Sequence, residues 1–256
     1  MANRNGKVIS ISSVKGGVGK TTMVTNLAGI YYLMKKKVLI IDADFYGGGI
    51  SAWLDIRNKK DIFMMMDSIS NNRYSNIKDY VTSYNSGIDV LASPKDPRCA
   101  LKVESKYIPM IFEFARREYD VILVDTNHIM NEVNLMILDN VYKSLFIVTN
   151  DLVDLKNTKS LMNIFKETGK SNYLLCLNCS RDTGKDYFSI FDIRNIIKNN
   201  IDYTIGNSFY IKNIDKYVIN GEILTLNRNI NRFHAKDIKK LNSIANALIK
   251  EEGISE

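Results

Sequence analysis

A glycine-rich run near the start of the chain constrains the fold more than any other feature of the sequence. It lies between a predicted strand at residues 7–12 and a helical pattern that extends to about Met34. Glycines let a backbone fold closely around phosphate oxygens, and the amides of such a loop and of the following helix N-terminus point inward. The run consists of Lys15, Gly16, Gly17, Val18, Gly19, Lys20, Thr21 and Thr22. We therefore predict a phosphate-binding loop, with Lys20 reaching the β- and γ-phosphates and Thr21 binding Mg²⁺.

Short β-branched runs alternate with helical patterns along the rest of the chain. Further strands are predicted at residues 38–41, 88–91, 121–124, 145–148 and 173–177. Helices are predicted at residues 101–117, at 155–165 and around 238–248, where apolar residues recur at helical spacing. Strands that alternate with helices favour βαβ units with right-handed crossovers. The expected fold class is α/β, a doubly wound, mostly parallel sheet flanked by helices, formed by residues 1–256 as one domain.

The composition indicates the broad class of protein but no activity. The 256 residues are 45% hydrophobic and 25% charged, as in ordinary globular proteins. No apolar run is long enough to span a membrane, and three cysteines are too few for a disulfide framework, so we expect a cytoplasmic protein. The net charge of +7 is compatible with weak attraction to nucleic acid or anionic lipid but indicates neither, because the cations are spread along the chain.

Polar residues follow several of the predicted strands. Asp42 and Asp44 end the second strand, Asp125 ends the run at 121–124, and Asn178 follows the run at 173–177. Ligands of parallel α/β sheets bind at the carboxyl ends of the strands. These four residues are therefore candidate site residues together with the glycine-rich run.

The start of the run departs from the general phosphate-binding loop. That pattern begins with a glycine where this chain has Val14, and it does not require Lys15. A lysine followed by Gly-Gly-x-Gly-Lys-Thr resembles the deviant P-loop of the MinD/ParA family. The resemblance implies a three-layer P-loop NTPase fold, ATP and Mg²⁺ as cofactors, and slow ATP hydrolysis by an ATP-dependent homodimer. It further implies that Lys15 reaches the partner subunit's nucleotide and takes part in catalysis with Lys20.

The same resemblance suggests roles for the aspartates. Asp44 matches the family's switch aspartate, which positions the attacking water, although a turn or helix-capping residue is the alternative. Asp42 either belongs to the site or only supports it. Asp125 after four apolar residues resembles a Walker B strand, whose aspartate binds Mg²⁺. Many relatives have a proline two residues later, where this chain has Asn127.

Asn178 has two competing interpretations. Relatives use an asparagine at this strand end to hydrogen-bond adenine, which would favour ATP over GTP. Polar capping of a strand end explains the residue equally well.

Two segments suggest a branch of the family. Residues 150–161 and residues 42–47 resemble the pilus-assembly branch, TadZ/CpaE. That resemblance implies a protein that positions a pilus or secretion machine, and recruitment to a cell pole or to the inner face of the membrane through partner proteins. The C-terminal helix is followed by Glu251 and Glu252 and lacks a basic, apolar tail, so we do not expect direct membrane insertion. The alternatives are a ParA-like DNA-partition ATPase, which would bind DNA, and a non-hydrolysing ATP-bound scaffold.

Overall fold

A computed structural model describes residues 5–180 and 188–251 of the chain, so Glu252 lies outside the described residues. Within those ranges eight strands form one sheet in the order β3-β4-β2-β5-β1-β6-β7-β8. Neighbouring strands are parallel except β3, which runs antiparallel to β4. The strands are β1 (Lys7–Ser12), β2 (Val38–Ala43), β3 (Thr82–Ser83), β4 (Ile88–Leu91), β5 (Val121–Thr126), β6 (Lys143–Val148), β7 (Tyr173–Asn178) and β8 (Tyr203–Ile205).

Helices cover both faces of this sheet. The helices in the described ranges are α1 (Lys20–Leu33), α2 (Ile50–Trp53), α3 (Ile62–Ser70), α4 (Pro97–Ala100), α5 (Ile108–Glu118), α6 (Glu132–Asn140), α7 (Leu152–Glu167), α8 (Ile190–Ile197), α9 (Ile214–Ile219), α10 (Arg228–Phe233) and α11 (Ala235–Ile249). No helix in the described part of the chain is both long and apolar enough to cross a bilayer.

Alternation of side chains along the strands produces the layers. In β1, Ile9 and Ile11 pack in the core that α1 and α11 share, whereas Val8 packs on the opposite face with α3 and α5. A third apolar cluster joins β6 and β7 to α7 and α8. Because each central strand is buried on both faces, its sequence is almost continuously apolar. The predicted doubly wound α/β fold with its three layers is confirmed.

One predicted helix is shorter than expected. The sequence pattern favoured a helix over residues 101–117, but α5 begins only at Ile108, after a 3₁₀ turn at Ser105–Tyr107. Pro109 lies in the first turn of α5. A proline in a helix interior would lose one hydrogen bond and clash with the preceding turn, so the helix has to start beside it.

The order of the strands brings the candidate residues together. β1 lies between β5 and β6, and β2 pairs with β5 so that Asp42 stands opposite Asp125. The carboxyl ends of these strands therefore open at one edge of the sheet, where α1 begins. Doubly wound sheets bind their ligands at this edge.

Candidate functional site

The glycine-rich loop connects β1 to α1 in a conformation that glycine permits. Gly17 and Gly19 have φ angles of +74° and +99°, in the left-handed region. A Cβ atom on Gly19 would also lie 2.9 Å from Nδ2 of Asn178. No side chain of the described residues caps the N-terminus of α1, and the first turn of this helix holds no acidic residue. The free amides at this helix end therefore form a site suited to an anion.

Lys20 is the first residue of α1 and is buried, with 9% of its surface exposed. Its Nζ donates a hydrogen bond to Oγ of Ser13 at 3.0 Å, and that hydroxyl donates to the carbonyl oxygen of Lys15 at 2.7 Å. Burial lowers the pKa of Lys20, while the nearby carboxylates of Asp125 and Asp44 oppose this effect. Ser13 was not predicted as a site residue. The only signal in the sequence was its position between β1 and the glycine-rich loop.

Asp125 lies inside β5, one residue before the strand ends, and not at the strand end as the sequence predicted. Its Oδ2 accepts a hydrogen bond from the hydroxyl of Thr21 at 2.7 Å. Its Oδ1 is buried and has no hydrogen-bond partner within residues 5–180 and 188–251. Burial raises the pKa of Asp125 to about 7, against the hydrogen bond from Thr21 and the charge of Lys20. An unpartnered buried carboxylate oxygen beside a threonine hydroxyl offers the hard oxygen donors that Mg²⁺ prefers.

Asp42 supports the loop that follows β2. One carboxylate oxygen accepts from the amide of Asp44 at 3.2 Å, and the other accepts from the amide of Ile50 and the hydroxyl of Ser93, both at 3.2 Å. Burial and the neighbouring charge of Asp125 raise the pKa of Asp42 to about 7. Because both carboxylate oxygens of Asp42 already accept hydrogen bonds from the chain, the geometry favours a residue that supports the site over one that belongs to it.

Asp44 lies just beyond β2 and is half-buried. Its Oδ1 accepts two hydrogen bonds, from the amide of Gly47 at 3.1 Å and from Nδ2 of Asn127 at 2.7 Å. The hydrogen bond from Gly47 closes a local turn, as expected if Asp44 is a turn residue. The bond to Asn127 joins the loops after β2 and β5. Asn127 differs from the proline of many relatives, and the sequence predicted no function for it.

Lys15 points toward α7 and not into the loop that it opens. Its Nζ forms an ion pair with Oδ1 of Asp151 at 3.1 Å, with both side chains 42% exposed. Asp151 also caps α7 by accepting from the amide of Asp154. This cap explains why α7 begins at Leu152, three residues before the predicted start. The pattern Asp-x-x-Asp before an apolar run was the signal that could have identified Asp151.

Asn178 ends β7 beside the glycine-rich loop. Its Nδ2 donates to the carbonyl oxygen of Val18 at 2.8 Å, and its Oδ1 accepts from the amide of Ser180 at 3.1 Å. Both ends of the amide are therefore engaged by the chain, as expected for the strand-capping interpretation. Asn178 nonetheless borders the cavity described next, so its position is compatible with a contact to a bound base.

A cavity of about 480 Å³ opens beside the glycine-rich loop. Its lining includes residues of the loop and of the start of α1, together with apolar side chains from the end of β8, the segment after it and the turn before α10. These apolar residues include Ile205, Phe209, Ile211 and Leu224. Cavities of this volume with mixed walls are typical of small-molecule sites. None of these apolar residues was predicted, because their segment has neither long strands nor a sequence motif.

The arrangement thus joins an anion site at the start of α1, a hydroxyl–carboxylate pair suited to Mg²⁺, and an apolar cavity at one edge of the sheet. Among the described residues no cluster of three His, Cys, Asp or Glu side chains is arranged to hold a metal. Mg²⁺ sites in phosphate-binding proteins commonly use one or two carboxylates together with the phosphates, so the pair fits that chemistry.

Comparison with known proteins gives the family and the fold of this chain. The model of the AAA domain family matches residues 6–173. A protein of Emiliania huxleyi named as a MinD septum site-determining protein is 21% identical over 204 residues, which are 75% of this chain and 71% of that protein.

Two solved structures share the fold. A ParA family ATPase from Chlorobium tepidum superposes with a TM-score of 0.78 at 20% identity, over 95% of this chain and 99% of that one. The MinD protein from Pyrococcus horikoshii, complexed with Mg-ADP, superposes with a TM-score of 0.76 at 18% identity, over 98% and 99% of the chains. The chain therefore belongs to the AAA domain family and has the fold of the MinD and ParA ATPases.

Proposed function

We propose that the protein binds ATP with Mg²⁺, hydrolyses it slowly and acts as a nucleotide switch that dimerises in the ATP state. The observation that carries this proposal is the hydrogen-bonded pair of Thr21 and Asp125, in which Oδ1 of Asp125 is buried and has no hydrogen-bond partner among the described residues. A buried carboxylate oxygen without a donor is costly in a folded protein. Phosphates in the loop and a cation on Thr21 and Asp125 would remove that cost.

The triphosphate would lie along the loop amides, with Lys20 turning from Ser13 to the β- and γ-phosphates. Bound Mg²⁺ would neutralise charge on these phosphates. Asp44 would accept a hydrogen bond from the attacking water and hold it in line with the γ-phosphate. The nucleoside would enter the cavity beside the loop, where Phe209 and Ile205 offer apolar surface and Asn178 a polar edge.

Lys15 supports the proposed dimer. Its ion pair with Asp151 is partly exposed, and such pairs contribute only about 0.2 to 1 kcal/mol. A triphosphate presented by a second copy of the chain would attract Lys15 more strongly than one carboxylate does. ATP would then favour the dimer and ADP the monomer, which is the differential affinity that a switch requires.

We further propose that this switch positions a pilus or secretion machine. The support is the resemblance of residues 150–161 to the pilus-assembly branch. That segment forms the start of α7, which exposes Leu152 and Val153 by 44% and 63%. Apolar side chains exposed beside the Lys15–Asp151 pair would be available to a partner protein in one nucleotide state and covered in the other.

DNA partition is a second candidate, favoured by a basic surface on α10 and α11. Residues 228–240 contain five cationic side chains, all exposed, and their one carboxylate, Asp237, is buried and accepts a hydrogen bond from Ser208. The five are Arg228, Arg232, Lys236, Lys239 and Lys240. A surface of this kind would bind the phosphate backbone without sequence preference and with strong salt dependence.

Calorimetry with ATP and Mg²⁺ tests the proposal. Wild-type protein should bind ATP, and Lys20→Ala should weaken binding by at least about tenfold, because a charge-assisted contact contributes about 1.5 to 3 kcal/mol. Lys166→Ala, at the exposed far end of α7, is the matched control and should bind as the wild type does. Failure of folded wild-type protein to bind ATP would refute the proposal.

Two further measurements separate the alternatives. Phosphate release above background by wild-type protein but not by Asp44→Ala would support the switch, whereas intact ATP in a stable dimer after long incubation would favour a non-hydrolysing scaffold. Retention of DNA on filters at low salt, dependent on ATP and lost when Arg228 and Arg232 are replaced by alanine, would favour the partition ATPase.

A further inference from the structure

Asn127 is a buried asparagine whose side chain is fully oriented by its neighbours. Only 6% of its surface is exposed. Its Oδ1 accepts a hydrogen bond from the amide of Ile129 at 2.9 Å, and its Nδ2 donates to Oδ1 of Asp44 at 2.7 Å. Because a backbone amide can only donate, the contact with Ile129 fixes which end of the side-chain amide faces Asp44.

The loop that carries Asn127 is anchored to α6. Asn134 is 3% exposed, and its Nδ2 donates to the carbonyl oxygens of Asn127 and Ile129 at 3.0 and 2.6 Å. The backbone amide of Asn134 in turn donates a hydrogen bond to Oδ1 of Asn131, which caps α6. Asn127 is therefore attached to a helix, whereas Asp44 lies on a loop whose next residues, Tyr46 to Gly48, are exposed.

Two donors occupy the same oxygen of Asp44. The amide of Gly47 and Nδ2 of Asn127 both bind Oδ1. No donor among the described residues forms a hydrogen bond with Oδ2. A carboxylate held through one oxygen cannot rotate freely, so the direction of the other oxygen is defined as well. The free Oδ2 remains available to accept a hydrogen bond from a water molecule.

We propose that Asn127 is a positioning residue for ATP hydrolysis, which fixes the rotation of the Asp44 carboxylate so that Oδ2 holds the attacking water. This inference rests on the proposed function of Asp44. Asn127 follows the metal-binding candidate Asp125 by two residues, so one strand end orients both groups. A residue at position 127 without a side-chain donor, such as the proline of many relatives, could not perform this role.

The test is a double-mutant cycle between positions 44 and 127, read in single-turnover and steady-state ATP hydrolysis. Asn127→Ala should lower kcat by about tenfold or more, with the KM for ATP within about threefold, because only the orientation of the water is lost. In the Asp44→Ala background the same substitution should have no further effect on kcat. Asn127→Asp, which keeps the side-chain volume, should lower kcat at least as much, because it places a second carboxylate against Asp44.

Asn140→Ala, near the other end of α6, is the control and should hydrolyse ATP as the wild type does. Unchanged kcat in both Asn127 variants would overturn the inference, and so would an equal loss of kcat with and without Asp44. Failure of the proposed function is distinguishable, because Asp44→Ala alone would then leave kcat unchanged. Thermal unfolding of each variant identifies any loss of folded protein, and Asn127→Asp then carries the test if Asn127→Ala does not fold.

Discussion

Nζ of Lys15 lies 3.1 Å from Oδ1 of Asp151, so the first lysine of the P-loop is bound to the N-terminus of α7 within one chain. This contact couples two segments that flank the candidate site, the loop after β1 and the turn after β6. An aspartate that both caps a helix and pairs with a lysine can release the lysine without unfolding the helix. The pair therefore suits a side chain that exchanges one anion for another.

Asp151→Asn should favour the proposed ATP-dependent dimer. Asparagine caps helices as well as aspartate does, so α7 should remain intact while the charge that holds Lys15 is lost. The expected change is up to about fivefold tighter dimerisation for each lysine released, equivalent to about 1 kcal/mol. Sedimentation velocity with ATP and Mg²⁺ over a range of protein concentrations measures it. Asp139→Asn, which removes an ion pair between the exposed Asp139 and the mostly buried Lys170, should leave the dimer unchanged. Weaker dimerisation of Asp151→Asn would contradict the prediction.

Asp125→Asn and Thr21→Ala should weaken ATP binding only when Mg²⁺ is present. Each substitution removes one of the proposed oxygen ligands of Mg²⁺ but leaves the loop amides in place. We expect at least about a tenfold loss of affinity with Mg²⁺, because contacts to a charged group contribute about 1.5 to 3 kcal/mol. In excess chelator the variants and the wild type should bind ATP with similar affinity. Calorimetry in both buffers compares them, and an equal loss without Mg²⁺ would mean that the pair only shapes the loop.

Alanine substitutions at three glycines should separate backbone strain from close contact. Gly17 and Gly169 have φ angles of +74° and +67°, and among the described residues no atom lies within 4 Å of the place that a Cβ would take. Each Gly→Ala change should therefore destabilise the protein by about 1 to 2 kcal/mol through backbone strain alone. Gly19→Ala should cost more, because its Cβ would also meet Asn178. Denaturant unfolding gives these free energies. ATP binding should fail for Gly17→Ala and Gly19→Ala, which lie in the phosphate-binding loop, and persist for Gly169→Ala, which lies outside it. Loss of ATP binding in Gly169→Ala would show that the substitutions do not act through the loop.

The stability of the sheet edge away from the site should depend on pH through Asp89. Burial would raise the pKa of this carboxyl, but hydrogen bonds from Lys78, Ser83 and Tyr119 outweigh it and lower the pKa. When the pKa of a carboxyl is lower in the folded than in the unfolded protein, the carboxylate stabilises the fold at pH values above the unfolded-state pKa. That stability is lost as the pH falls through the folded-state pKa.

Asp89→Asn should therefore reduce the free energy of unfolding by about 1 to 3 kcal/mol at neutral pH, and the difference from wild type should shrink below about pH 4. Urea unfolding across this range measures it. Asp67→Asn, which alters an exposed ion pair with Arg73, is the control for loss of a surface contact. A gap that stays constant with pH would show that packing, and not charge, holds this network together.

Much of the fold could be predicted because its signals are local. Buried parallel strands such as β2 and β5 are continuous apolar runs, and the KGGVGKTT run combines the backbone freedom and the charge of a phosphate loop in adjacent residues. The signals failed where they were short or contradictory. β8 has three residues, too few for a periodic pattern, and Pro109 divided a helical pattern that otherwise continued.

The sequence by itself determined the class of fold and the loop that opens the site, since both depend on residues close together in the chain. Only the tertiary structure decided which side chains meet there. Thr21 contacts Asp125 across 104 positions, and Asp44 contacts Asn127 across 83. Hydrogen bonds of this kind require donor and acceptor within about 3 Å. That distance is set by strand order and register, which the pattern of apolar residues along one chain does not specify.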